Sequence, residues 1–361
     1  MRGGFWAGKK VFVTGHTGFK GAWLCLWLHK LGAQVCGYAL APVTTPNLFT
    51  EARVAEHLAS DMTADVRDAA AIGDALRQEN PDVVFHLAAQ SLVRCSYEQP
   101  IETFDTNVMG TANVLQAARG APGVRAVVIV TSDKCYDNRE VIWAYRETDP
   151  MGGRDPYSAS KGCAELVTAA MARSFFDPHS SRCSVASVRA GNVIGGGDWA
   201  KDRLIPDLMR GLLAGEPIVI RNPRAVRPWQ HVLEPLSGYL TLAEHLWTAG
   251  PLAWEGWNFG PDFRGERTVQ DVAAAACGIW GRDDLLSVVE DGAQPHEAML
   301  LKLDSTKART YLGWCPTWSF EASVARTVEW YRSFGARADM RQVTLGQIEA
   351  YEREAMSSPA A

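Results

Sequence analysis

The sequence predicts an α/β fold: a doubly wound parallel sheet with a smaller C-terminal domain. Two observations predict it. Through the first half, short and near-continuous apolar runs alternate with helix-length amphipathic segments, as in strands buried on both faces and joined by crossover helices. Near Gly191 the texture changes, and glycine, proline, tryptophan and arginine replace the alternation. A length of 361 residues allows about two domains.

In chain order, Val11 to Thr14, Gln34 to Tyr38, Val83 to Leu87, Ala126 to Ser132 and Ser184 to Arg189 read as strands. Gly21 to Leu31, Asp68 to Glu79, Thr106 to Arg119 and Ser158 to Phe175 carry helical spacing. Asn192 to His231 and Asp283 to Thr317 read as irregular and short elements, suited to a pocket built on loops. Between them, Glu234 to Trp247 reads as a helix and Gly256 to Gly260 as a strand, both expected to return to the main sheet. The expected partition is 1–190 with 232–261 in the sheet domain and 191–231 with 262–350 in the second domain. A frayed tail is expected over 351–361.

Composition narrows the function. The chain is 47% hydrophobic and 21% charged with a net charge of −5, which excludes a disordered polymer and argues against a nucleic-acid binder, whose face would be basic. No apolar run approaches the ~18 residues that cross a bilayer, and the start carries no long apolar export signal, so a cytoplasmic protein is expected. The eight cysteines form no CxxC pair. Reduced and mostly buried thiols are therefore expected, with no metal site and no disulfide framework.

Two clusters carry chemistry. Val11-Phe-Val-Thr-Gly15-His-Thr-Gly18-Phe-Lys-Gly21 follows the first strand and opens a helix, the arrangement in which glycines admit a pyrophosphate to a helix N-terminus. The acidic residue that normally follows the second strand to hold a ribose hydroxyl is missing, since the chain there reads Gly37-Tyr38-Ala39-Leu40-Ala41-Pro42. NAD and NADP are thus not distinguished locally. Asp65 and Val66, after a third strand, either meet the adenine from the other side or serve as a helix cap. His16 and Lys20 are expected to be solvated.

The second cluster is Thr131-Ser132-Asp133-Lys134 at a strand end and Tyr157-Ser-Ala-Ser-Lys161 at a helix start. Residues four apart share a helix face, so Lys161 stands beside Tyr157, where a cation favours the phenolate of a general base. Nine tyrosines and nine lysines in 361 residues give about 0.2 such pairs by chance. The pair gains meaning only beside Ser132 and the glycine turn. His86 and His231 are expected to be buried and hydrogen-bonded, Asn107 to hold backbone, and Trp229, Trp254 and Trp257 to be core or stacking residues.

Gly15-His-Thr-Gly-Phe-Lys-Gly21, His86-Leu-Ala-Ala-Gln-Ser91, Tyr157-xxx-Lys161 and Arg189-Ala-Gly-Asn192 resemble the extended short-chain dehydrogenase/reductase family. Thr131-Ser-Asp-Lys-Cys-Tyr136, Gly195-Gly-Gly-Asp-Trp199, Arg227-Pro-Trp-Gln-His231 and Pro295-His296-Glu297 resemble its CDP-glucose 4,6-dehydratase branch. Asp133-Lys134 discriminates, because the dTDP-glucose branch has Asp-Glu there and UDP-galactose epimerases lack the acidic pair.

The resemblance implies a Rossmann domain that holds NAD and a smaller domain that holds the sugar nucleotide. It assigns Gly15, Thr17, Gly18, Phe19, Gly21, Asp65, Val66, Leu87, Ala88, Ala89, Thr106, Tyr157 and Lys161 to NAD. It assigns Gln90, Asn192, Arg203, Leu204, Arg227 and His296 to CDP-glucose. It also implies a homodimer or homotetramer working in deoxysugar and lipopolysaccharide O-antigen biosynthesis, without nucleic-acid or membrane partners.

The implied reaction turns CDP-D-glucose into CDP-4-keto-6-deoxy-D-glucose and water, with hydride moving from C4 to C6 by way of bound NAD. Tyr157 takes the C4 hydroxyl proton, Ser132 holds that hydroxyl, and Asp133 and Lys134 supply an acid and a base for dehydration. Which is which stays open, because adjacent titrating groups share their protonation steps. The rivals are an epimerase, a dehydratase for dTDP- or UDP-glucose, and a nucleotide-sensing regulator. The intact Tyr157-Lys161 pair argues against the last.

Overall fold

The computed structural model describes residues 4–220, 222–249, 252, 254–262, 266–288 and 300–357. Seven parallel strands form the central sheet: β1 (Lys10–Thr14), β2 (Gln34–Ala39), β3 (Ser60–Thr63), β4 (Val83–His86), β5 (Ala126–Val130), β6 (Ser184–Ala190) and β7 (Glu255–Phe259). Their order is β3-β2-β1-β4-β5-β6-β7, with every neighbouring pair parallel. The crossover between β1 and β4 opens a crevice at the C-terminal strand ends, where α/β sheets bind ligands.

Strand periodicity divides the core. Val11, Val13, Val83, Phe85, Ala126 and Val128 pack on one face, while Phe12, Val84, Val127 and Ile129 pack on the other. The first face is covered by helices α1 (Phe19–Lys30) and α6 (Leu233–Thr248), and the second by α2 (Ala69–Glu79), α3 (Gly110–Arg119) and α4 (Pro156–Phe175). Capping sets the helix starts. Asp68 accepts from the Ala70 and Ala71 N–H groups at α2, and Asp155, followed by Pro156, accepts from the Ser158 N–H at α4. All residues of α1 from Gly21 to Leu28 are buried, because the sheet covers one side and C-terminal residues the other.

Several elements differ from the sequence reading. The region Asn192 to His231 is not wholly irregular: α5 (Leu204–Ala214) lies inside it, with an apolar stripe of Ile205, Leu208, Met209 and Leu212 against the core. Helices α7 (Val269–Trp280) and α8 (Phe320–Gly335) complete the C-terminal region with α9 (Met340–Ser357). The expected frayed tail is corrected over 351–357, which remain helical. Tyr351 is buried, and Trp27 and Trp318 donate indole N–H groups to Glu352 and Glu354. The segment expected as a plain helix from Thr106 starts as a π turn, Asp105–Met109, before α3. Among the described residues, no helix is long and apolar enough to cross a membrane.

Candidate active site

The site is built from the glycine turn upward. Gly15 leaves β1 with a φ of +74°. A Cβ on it would lie 2.6 Å from the Ala88 nitrogen, and one on Gly21 would lie 2.1 Å from the Gly15 carbonyl oxygen. Only glycine lets the turn, the segment after β4 and α1 close this tightly. Gly18 is the N-cap of α1 and brings no side-chain cap, so the first N–H groups of the helix are left for an anionic ligand. That is the cradle a dinucleotide pyrophosphate needs.

The rim is ordered by hydrogen bonds. Thr14 accepts at its carbonyl from the Leu87 N–H at 3.1 Å and at its hydroxyl from the Ala88 N–H at 3.2 Å, which sets the start of the Leu87-Ala88-Ala89 segment. The Thr17 hydroxyl donates to the Leu40 carbonyl at 2.8 Å. Asp65 closes a turn on the Arg67 N–H and pairs with its guanidinium at 2.6 Å, while the Tyr38 hydroxyl donates to the Asp65 carbonyl. Helix α2 is capped by Asp68, so the cap alternative for Asp65 is corrected. Val66 packs where a Cβ on Gly110 would stand, Phe19 lies against Gly195, and Thr106 sits half-buried in the π turn.

Two residues expected in solvent are not there. His16 is fully buried, its Nε2 2.8 Å from Asp61 Oδ1, and its ring fills the space beside Gly37. Burial lowers its pKa despite the Asp61 carboxylate. Lys20 is half-buried in the first turn of α1. Burial brings its ammonium down to about 8, with Arg203 and Lys161 adding to the effect and Asp133 and Asp198 opposing it. A loop position gave no sign that this lysine faces the crevice.

The catalytic candidates converge where β5 ends. Ser132 caps the single turn Asp133–Cys135, accepting from the Lys134 N–H at 3.2 Å and donating to Asp133 Oδ1 at 3.0 Å. Asp133 is 3% exposed, and its Oδ2 has no hydrogen-bond partner among the described residues. Burial raises this carboxyl against the pull of Lys134, the Ser132 hydroxyl, Arg227 and Lys20. Gly191 makes room for it: a Cβ there would stand 2.9 Å from Asp133 Oδ2 and 2.4 Å from Pro228 Cγ.

Tyr157 and Lys161 stack on α4 and are both buried. The expectation that Lys161 lowers the phenol is corrected. Burial pushes Tyr157 up to about 12 against the Ser132 hydrogen bond and the Arg203 charge, and burial brings Lys161 down to about 8 against Glu165 and Cys135. Lys161 Nζ lies 3.4 Å from the Val130 carbonyl. Desolvation of the phenol is the largest cause of the rise at Tyr157, and Arg203 is the cation that opposes it.

Arg227, 4% exposed, lies in the short strand Val226–Pro228 and its charge acts on Asp133. Arg203 pairs with Asp198 at 3.0 Å and donates to the Ser91 hydroxyl at 2.9 Å, with Leu204 beside it opening α5. Asn192 follows Gly191, and its carbonyl accepts from the Gln230 N–H. Gln90 spends its amide within its own loop, on Leu92 and Thr103. Asn107 bonds the Gln90 backbone on both sides and the Ser160 hydroxyl, holding backbone as its residue type suggests. His86 is buried between Thr14 and Thr111, and buried His231 accepts from the Leu233 N–H. His296 falls outside the described residues. Eight cysteines are free, and the described residues form no metal-binding cluster.

A doubly wound sheet with a glycine cradle at β1 and Ser132, Tyr157 and Lys161 gathered beyond β5 has the frame of a dinucleotide-binding enzyme. The chain belongs to the NAD dependent epimerase/dehydratase family, whose profile matches residues 11–251. It is 51% identical to the CDP-glucose 4,6-dehydratase of Salmonella typhimurium over 96% of this chain and 97% of that protein. It is 29% identical to a dTDP-glucose 4,6-dehydratase of Xanthomonas campestris over 88% of this chain and 92% of that one. Among solved structures, a dTDP-glucose 4,6-dehydratase from Streptomyces venezuelae with NAD bound superposes with a TM-score of 0.78 at 27% identity, covering 92% of this chain and 99% of that one.

Proposed function

We propose that this enzyme is an NAD-dependent CDP-glucose 4,6-dehydratase, releasing water and CDP-4-keto-6-deoxy-D-glucose. The observation that carries this reading is Asp133, a buried carboxyl with a free oxygen, set between Ser132 and Lys134. An epimerase using Ser132, Tyr157 and Lys161 alone would leave that costly group without a task. The Salmonella relative supports the cytidine nucleotide.

NAD would be held by Gly15, Thr17, Gly18, Phe19 and Gly21, with Asp65, Val66, Leu87, Ala88, Ala89 and Thr106 around it, and Tyr157 and Lys161 beside it. When bound, it would supply the redox chemistry, as a hydride acceptor and donor. For this step Tyr157 must stand as the phenolate: it then receives the C4 hydroxyl proton, and Ser132 orients that hydroxyl. Lys161 follows one turn beyond Tyr157 on α4, and both are buried. The 4-ketone acidifies C5. Burial favours the protonated form of Asp133, which suits it to protonate the departing C6 hydroxyl and leaves Lys134, which must act as a neutral amine, to take the C5 proton.

Arg203 and Arg227 would neutralise the diphosphate, with Asn192 and Leu204 beside the sugar nucleotide and His296 completing the set. Gln90 supports the loop under it. Residues 1–190 with 232–261 would form the NAD-binding part and 191–231 with 262–350 the substrate part. Exposed Ile101 and Met109, which precede α3, and Leu166, on α4, favour a homodimer or homotetramer. A monomeric mass by light scattering contradicts that assembly.

The test of the function is to incubate purified protein and NAD with CDP-, dTDP-, UDP- and GDP-glucose and measure the alkaline absorbance of a 4-keto-6-deoxy sugar. CDP-glucose should give the highest kcat/KM. An equal value for dTDP-glucose overturns the base assignment, and no signal with any of the four overturns the dehydratase.

A further inference from the structure

The segment Thr131–Tyr136 carries the candidate acid and base, and both of its ends are fastened to one buried ion pair. Glu165 stands one turn beyond Lys161 on α4 and is 1% exposed. Its carboxylate accepts from the Thr131 hydroxyl at 2.5 Å, the Ser187 hydroxyl at 2.6 Å, Arg189 Nε at 2.9 Å and Arg189 Nη2 at 2.7 Å. Arg189, fully buried in β6, continues the chain of contacts: its Nη1 donates to the Tyr136 hydroxyl at 2.7 Å and the Glu147 carbonyl at 3.1 Å. The Tyr136 hydroxyl in turn donates to Asn258 Oδ1 at 2.7 Å.

Glu165 therefore holds Thr131, at the start of the segment, and Arg189 holds Tyr136, at its end. Between them lie Ser132, Asp133, Lys134 and Cys135, secured by the Ser132 cap and by the Gly152 N–H on the Cys135 carbonyl. Burial alone would raise the Glu165 carboxyl, yet the Arg189 charge and the bonds from Arg189, Ser187 and Thr131 keep it below the usual carboxylate range. The pair stays charged. A buried ion pair is often no more stable than apolar residues of the same volume, so stability alone gives a weak reason for it.

We propose that Glu165 and Arg189 are positioning residues for dehydration: their ion pair clamps both ends of the Thr131–Tyr136 segment and so fixes where Asp133 and Lys134 present acid and base. The chemistry served rests on the dehydratase reading, whereas the clamp rests on geometry alone. Neither residue is used as an acid, a base or a ligand. A misplacement of about 1 Å at a reacting group can cost about 10²-fold in rate.

The test cuts each tie separately and leaves the ion pair in place. Thr131→Val removes the hydroxyl bound to Glu165 without changing side-chain shape, and Tyr136→Phe removes the hydroxyl bound to Arg189 while keeping the ring stacked on Tyr145 at 5.2 Å. Hydrogen–deuterium exchange at the Ser132–Asp137 amides should quicken about tenfold or more in each variant, with β1 and β4 unchanged. Unchanged exchange in both variants overturns the clamp, whatever reaction the protein performs. On CDP-glucose, kcat should fall roughly 10- to 100-fold with KM within about twofold of the parent. Parent kcat in variants with a loosened segment overturns the positioning role, as does a loss confined to KM. An unsubstituted protein that is inactive on every nucleotide-glucose refutes the dehydratase reading instead, and the exchange result still decides the clamp.

Discussion

Gly191→Ala places one methyl group into the closest packing of the site. Gly191 has no positive φ, so alanine brings no backbone strain and the effect is steric. The new Cβ would meet Pro228 Cγ at 2.4 Å and Asp133 Oδ2 at 2.9 Å. Comfortable contacts need about 3.5 Å, so the proline ring must retreat by roughly 1 Å and the carboxylate by roughly half that. Overpacking of this kind costs about 1–3 kcal/mol, visible as a thermal midpoint lowered by several degrees. The shift of Asp133 reaches the reacting atoms, and kcat should fall about 10- to 100-fold. Thermal unfolding and 4-keto-6-deoxy product formation from CDP-glucose read the two effects. A variant with the parent midpoint and the parent kcat refutes the packing of Asp133 against Gly191 and Pro228.

Tyr157→Phe should lower product formation by about 10²–10⁴-fold and abolish exchange of the C5 hydrogen with deuterated solvent, because the 4-ketone no longer forms. Lys134→Ala should keep oxidation at C4 but lose product, with C5 exchange slowed; parent-rate product would move the base role to Asp133. His231 is held near pKa 3 by burial, with a small contribution from Arg326, while an unfolded histidine titrates near 6.5. Between those values the unfolded chain binds the extra proton, so this residue's contribution to stability is lost as pH falls from about 6.5 toward 3. Urea titrations at pH 6, 5 and 4 should find the stability difference between parent and His231→Phe changing by about 1.4 kcal/mol per pH unit, and a constant difference contradicts the assignment.

What could be read from the sequence follows physical type. Apolar runs such as Val83-Val-Phe-His86 announce buried strands, and β3, Ser60-Asp-Met-Thr63, has no such run because its residues alternate between half-buried and exposed. The glycine turn and Tyr157-xxx-Lys161 are local spacings and could be found in one dimension. The surroundings of His16 and Lys20 could not: Asp61 lies 45 residues from His16, and the charges around Lys20 come from three distant segments. The same holds for the phenol of Tyr157, where helical spacing spoke for a lowered pKa and three-dimensional burial raises it. Glu165 looks like an ordinary helix residue, and Arg189 and Tyr136 stand in the sequence only as ends of separate motifs; that the three are linked appears when the fold brings them together. The C-terminal helix is amphipathic only weakly, and its burial depends on Trp27 and Trp318 reaching it from elsewhere.

In the proposed reaction hydrogen leaves C4 and returns at C6 of the same sugar while water is lost between C5 and C6. CDP-glucose carrying deuterium at C4, turned over by purified enzyme with NAD in ordinary water, tests it directly by NMR of the product. The expected result is a 4-keto product whose C6 methyl group carries the deuterium. A product with inverted configuration at C4, the deuterium still on that carbon and the 6-hydroxyl intact, would contradict it and make the enzyme an epimerase.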